Sequence, residues 1–161
     1  LSIHLLSIHL ILTETVSITA DTDKNANPED VVRGYYASIS AGRFAEAADR
    51  LSPDSTSWII GEGHWPLGGY HDLESLKKIH ATVTERFPQG LKVTIKALTV
   101  EGERVAVEAE SYGQRCDGRI YNNQYHYLLI VRNGVICERR EYMDTIHAND
   151  LLCGLFTQTN I

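Results

Sequence analysis

Most of the features that mark a specialised protein class are missing from this chain. Its three cysteines, Cys116, Cys137 and Cys153, are odd in number and widely spaced, so neither a disulfide framework nor a zinc knuckle reads out. A reducing, cytoplasmic compartment is therefore expected. Fifteen Lys and Arg against 21 Asp and Glu leave a formal charge of −6, which lacks the basic footprint of a nucleic-acid binder. The apolar stretch 1–12 is shorter than the about 20 residues that span a bilayer. It has no Lys or Arg ahead of it, and Ile18-Thr19-Ala20 is a poor signal-peptidase site. No nucleic acid, no membrane and no secretion are expected. A phosphate-binding loop, a dinucleotide fingerprint and a nucleophile elbow are also missing. None of the seven histidines makes an i, i+4 pair beside a Glu, so neither a metal nor a cofactor is expected.

What remains suits one globular domain. At 161 residues, 43% hydrophobic and 22% charged, the chain can bury about 68–70% of its unfolded surface without staples. The repeat LSIHL-LSIHL and the polar stretch after it read as a tail and linker over 1–26. A domain at 27–148 and a C-terminal extension at 149–161 follow.

Within the domain, Asn27-Pro28-Glu29-Asp30 has an N-cap, a proline at the first helical position and acids in the first turn. Val32, Tyr35, Tyr36 and Ile39 continue it at helical spacing. A short helix over 44–51, closed by Ser52-Pro53-Asp54, leads to a strand at 56–60. The Gly-rich segment 61–71 (GEGHWPLGGYH) reads as a loop, a lid or pocket rim. Asp72 caps a third helix, with Leu76, Ile79, His80, Val83 and Phe87 in one stripe. Strands then run over 91–100, 104–112, 119–132 and 135–145, with turns at Glu101-Gly102-Glu103 and at Arg132-Asn133-Gly134, whose Asn-Gly pair suits a type I′ turn. The order ααβαββββ is α+β, with helices on one face of a curved antiparallel sheet.

The chemistry-bearing residues are acids. Glu108 and Glu110 share one face of a strand with Ala106 and Tyr112, and Glu141 shares a face with Met143. Strand alternation in V-A-V-E-A-E makes Val105, Val107 and Ala109 the natural core face and leaves both glutamates in water. The next strand, apolar on both sides, leaves the assignment open. A sheet covered on both sides, by helices on one and by a second subunit on the other, fits that pattern.

The segments VVRGYYASISAG (31–42), the run to Trp58, RVAVEAES (104–111), YNNQYHYLL (121–129) and EYMDT (141–145) carry a resemblance to the nuclear transport factor 2-like superfamily, in its SnoaL-like and ketosteroid-isomerase-like branch. The resemblance covers residues 28–148. It implies a cone-shaped α+β barrel, three helices wrapping a curved sheet around a deep apolar pocket. The C-terminal strands resemble limonene-epoxide hydrolase without gaps. Glu110 and Glu141 stand where that family has its two Asp, Glu108 where it has Arg, and Trp58 and Ile60 where it has water-holding polar residues. This register turns Glu108 and Glu110 inward, and it is the reading adopted. Tyr35 matches the first-helix tyrosine of ketosteroid isomerase and Tyr125 its neutral acid, while its general base has no counterpart.

The resemblance implies a small-molecule enzyme with no cofactor, an isomerase, cyclase or epoxide-hydrolase-like protein. The pocket would be lined by Tyr35, Tyr36, Trp58, Ile60, Leu76, Ile79, Tyr112 and Met143. Glu110 and Glu141, with Glu108 beside them, would share acid and base work, and Tyr125 with Asn123 would orient an oxygen of a small apolar substrate. Three acids converging within about 7 Å, the spacing of two-carboxylate chemistry, would push at least one pKa up, and Glu110→Gln would then stabilise the fold. A homodimer through the outer sheet face is expected. The alternative is a non-catalytic binding module for a small apolar ligand on the same fold.

Overall fold

The computed structural model describes residues 23–154; the tail and repeat over 1–22, and 155–161 of the extension, lie outside them. The chain forms α1 (Pro28–Ser40), α2 (Phe44–Ala48), β1 (Leu51–Ile59), β2 (Gly69–His71), α3 (Leu73–Arg86), β3 (Lys92–Glu101), β4 (Arg104–Gln114), β5 (Ile120–Arg132), β6 (Val135–Met143) and α4 (Thr145–Ala148). A wide, π-type helical turn, Asn149–Cys153, continues α4. The strands make one sheet in the order β2-β1-β6-β5-β4-β3. This is the α+β architecture expected, with the helices on the concave side of an open, curved sheet.

Besides the fourth helix, α4, which the sequence reading lacked, three details differ from it. Pairing with β6 draws Leu51 and the segment after it into β1, so α2 stops at Ala48 rather than at 51. The loop 61–71 hides the short edge strand β2, which pairs with Ser57, Trp58 and Ile59. The sheet is not wholly antiparallel, because β1 and β6 run parallel.

Local chemistry sets the boundaries. The Asn27 side chain accepts from the Glu29 amide with Pro28 at the helix start, and Asp72 accepts from the Ser75 amide to open α3. Asn133 and Gly134, with φ of 51° and 76°, close the β5–β6 hairpin as the Asn-Gly turn requires. β4 alternates strictly, burying Val105, Val107, Ala109 and Ser111. The three apolar ones pack with Val32, Tyr35, Tyr36 and Leu76 from the helices in the main core. A second cluster joins Phe87, Tyr121, Ala148, Leu151 and Leu152. A cavity opens between the two. No helix among the described residues is long and apolar enough to cross a membrane.

Candidate functional site

The cavity holds about 100 Å³ of water-accessible space. An engineered apolar cavity of roughly 150 Å³ takes up one benzene, so this partly open pocket is sized for about one ring. Helix α1 contributes Tyr35 and Tyr36, α3 contributes Leu76, Ile79, His80 and Val83, and the inner sheet face contributes Ser111, Tyr125, Tyr127, Arg139, Glu141 and Met143. Trp65 and Leu67 reach in from the Gly-rich loop, and Leu152 from the C-terminal turn. The loop can seat an indole because Gly61 has φ +88°, and a Cβ there would lie 2.8 Å from the Trp65 ring. Trp65 Nε1 donates to the Ile60 carbonyl at 2.7 Å.

One carboxylate, Glu141, lies among these residues. Arg139 Nη1 donates to Glu141 Oε2 at 2.6 Å, and the two side chains are 7% and 12% exposed. Arg139 Nε reaches Ser57 Oγ at 3.4 Å, and its guanidinium lies over the Tyr127 ring, 6.0 Å from the centroid. Burial works against the charge on Arg139, but the oxygens of Tyr35, Glu141, Tyr36 and Tyr127 outweigh it and hold the pKa above the usual guanidinium value. Glu141 Oε1 has no hydrogen-bond partner among the described residues.

Around this pair stands a wall of tyrosines. Tyr125 and Tyr127 stack with centroids 5.1 Å apart, and Tyr36 packs on Tyr127 at 4.8 Å. Asn123 Nδ2 donates to Tyr121 Oη at 3.1 Å and to the Asp144 carbonyl at 2.9 Å. Tyr121 Oη and Tyr125 Oη are 2.6 Å apart, and Ser111 Oγ donates to Tyr125 Oη at 3.3 Å. With Asn123 donating to Tyr121, Tyr121 can donate to Tyr125, an arrangement that frees the Tyr125 O–H as a donor. The Tyr36 hydroxyl is buried without a well-formed hydrogen bond. Burial raises the pKa of all five tyrosines, and the Glu141 charge adds to it in each; Tyr121 is pushed up to about 12. Each phenol therefore stays protonated, a donor at neutral pH.

The other two acids are elsewhere. Glu110 projects from the opposite sheet face, where Oε2 meets Lys96 Nζ at 2.8 Å and Oε1 accepts from Asn122 at 3.2 Å. Those bonds lower its pKa, opposite to the rise expected of crowded acids. Glu108, on the same face, is exposed. The inward register fails because Val105, Val107 and Ala109 own the core side of β4, as strand alternation had it. Trp58 and Ile60 fail by the same parity, since Ser57 and Ile59 are the buried residues at this end of the strand. Trp58 instead packs on Tyr142 on the outer face, with Arg140 over its ring. Tyr112 is 51% exposed. Asn123 is buried outside the lining and is linked to it through Tyr121 and then Tyr125. Asp144 caps α4, accepting from the Ile146 and His147 amides.

Both basic residues of the lining, Arg139 and His80, escaped the sequence reading. Arg139 follows from the parity that pairs Glu141 with Met143, taken one step back along β6. His80 was visible as the polar member of the α3 stripe. It stacks on Phe44 with centroids 4.7 Å apart. Burial, with the positive charge of Arg139, lowers its pKa to about 4, so it faces the cavity as a neutral imidazole. Among the described residues no group of three or more His, Cys, Asp or Glu could hold a metal, and the three cysteines are free.

Residues 32–139, about two-thirds of the chain, match the family model of the SnoaL-like domain. A search of curated protein sequences returns no significant match. Among solved structures, the chain is similar to IdmH, a candidate polyketide cyclase from Streptomyces antibioticus, at 20% identity and a TM-score of 0.65 over 82% of this chain and 100% of that one. AclR, a candidate hydroxylase from Streptomyces galilaeus, is 14% identical with a TM-score of 0.66, covering 80% and 82%. TerC, crystallised with polyporic acid, is 18% identical with a TM-score of 0.67, covering 78% and 97%. At these identities the likeness is one of fold.

Proposed function

The chain belongs to the SnoaL-like domain family, and from that premise we propose that it is an enzyme that moves a proton on a ring-sized, oxygen-bearing small molecule. Glu141 is the base. Arg139 fixes one carboxylate oxygen at 2.6 Å and leaves the other to face the substrate. Tyr125, backed by Tyr121 and Ser111, and Tyr36 donate to the oxygen on which charge develops, as preorganised donors do in oxyanion sites. The tyrosine faces and the aliphatic residues of α3 hold the ring. The reaction class is proton abstraction next to a carbonyl, the step that isomerases and aldol-type cyclases share. With Glu108 and Glu110 on the far face, a two-carboxylate attack of water on an epoxide has no second acid, which narrows the expectation to isomerase or cyclase. The cyclase and the polyporic acid complex among the structural relatives support an oxygenated cyclic substrate.

The observation that carries this reading is a lone, nearly buried carboxylate held by an arginine and surrounded by protonated phenols. The test is solvent-deuterium exchange at the carbon next to the carbonyl, followed by NMR on cyclic enones and 1,3-diketones. Wild type should catalyse exchange with at least one of them, and Glu141→Gln should lose about 10²-fold or more. Equal exchange in both would remove Glu141 as the base. Binding without exchange in the wild type would favour the non-catalytic module.

The outer sheet face supports the homodimer. Trp58 and Tyr142 form an aromatic pair there, beside the half-buried Leu128 and Ile130. Leu128→Asp should convert a dimer to a monomer in sedimentation velocity.

A further inference from the structure

Leu152 lies outside the residues matched by the family model and yet lines the cavity. The turn that carries it, Asn149–Cys153, belongs to no strand ladder. Its fixed points are side chains gripping its carbonyls. Arg86 Nη1, from the end of α3, donates to the Gly154 carbonyl at 2.7 Å, and Arg115 Nη2, from the end of β4, donates to the same oxygen at 2.9 Å. Arg115 Nη1 also reaches the Asp150 carbonyl at 3.3 Å. Arg119 holds the Asp150 carboxylate at 3.1 Å, and Asp117 ties Arg119 and Arg115 together. The backbone joins the two sides of this grip, since the Cys116 amide donates to the Arg86 carbonyl at 2.7 Å.

The arrangement has a physical logic. The last carbonyls of a helical turn lack intrahelical donors and carry the negative end of its dipole. Cationic donors there make charge-assisted bonds about twice as strong as neutral ones. The Arg115 side chain is fully buried, so pulling the turn away would break charge-assisted bonds made out of water. Leu152 is thereby pressed onto Phe87 and Tyr121.

We infer that Leu152 sets the size of the ring the pocket admits, and that the Arg86–Arg115 grip on Gly154 is the latch that holds it there. The inference rests on the pocket being a ligand site. Leu152 is a specificity residue, because it touches the occupant. Arg115 is a positioning residue that acts through it.

The test uses two phenols of different size, p-cresol and 2-naphthol, titrated by calorimetry, together with acrylamide quenching of Trp65 in a Trp58→Phe background. Wild type should bind p-cresol at least about tenfold more tightly than 2-naphthol. Leu152→Ala should bind 2-naphthol about tenfold tighter than wild type does, the discrimination expected of a few methylene groups, and should expose Trp65 to quencher. Arg115→Met should do the same with Leu152 intact. Asp150→Asn, on the exposed side of the latch, is the milder variant should Arg115→Met not fold. Unchanged quenching together with unchanged ring-size preference in Leu152→Ala would overturn the inference. A wild type that takes both phenols equally would do so too. If neither phenol binds any variant, the ligand-site reading fails, while increased quenching in Leu152→Ala and Arg115→Met would still support the latch and its absence would overturn it.

Discussion

The two faces of the sheet use the same residue types to opposite ends. On the outer face, Glu110 has a lysine partner at 2.8 Å, and both side chains stay wet. On the inner face a single glutamate, Glu141, has an arginine at 2.6 Å, and both are nearly dry. The distances are alike, but the surroundings are not. In water such a pair contributes about 0–1 kcal/mol and is screened by salt. In a low-dielectric pocket, removing one partner leaves the other charge uncompensated. A carboxylate's capacity for chemistry here follows from which way its strand turns it, and the number of acids nearby matters little.

Breaking the inner pair should produce the largest change. Arg139→Leu strands Glu141 in the cavity, and chemical denaturation should show a loss of about 3–5 kcal/mol. A smaller effect should come from His80. Its folded pKa of about 4 lies below the unfolded value near 6.5, so between those values the unfolded chain binds a proton the folded one refuses. Stability is then present in full above pH 6.5 and falls as pH drops toward 4, by about 3 kcal/mol at most. His80→Phe should flatten that part of the stability–pH profile; an unchanged slope would place the titration elsewhere. The smallest effect belongs to the outer face. Glu110→Gln should leave the melting temperature within about 1 °C of wild type, in contrast to the stabilisation a crowded acid cluster would give.

Much of this contrast was legible in local pattern. In V-A-V-E-A-E, alternation alone put Val105, Val107 and Ala109 inside; the register borrowed from limonene-epoxide hydrolase then turned the glutamates inward, against the packing. The same alternation read along β6 leads from Met143 through Glu141 to Arg139. β5 resisted because Leu128 and Ile130 make its outer side as apolar as its inner one, so no single face stands out. β2 was invisible because three residues are too few to show a period. The parallel pairing of β1 with β6 has no local signature, since it joins Ser57 to Arg139 across 82 positions.

That last pairing bears on how the protein comes into being. β6 lies in the middle of the sheet, with β1 on one side and β5 on the other, and both members of the inner ion pair are on it. During synthesis, β1 leaves the ribosome with only β2 to cover it. At about 5–20 residues per second, roughly 4–16 s pass before the residues that pair with its other edge exist. Through that interval a bare strand edge, of the kind that invites pairing with another chain, waits for the same segment that delivers Arg139 and Glu141. Completing the sheet and arming the pocket are therefore a single event in the life of the nascent chain.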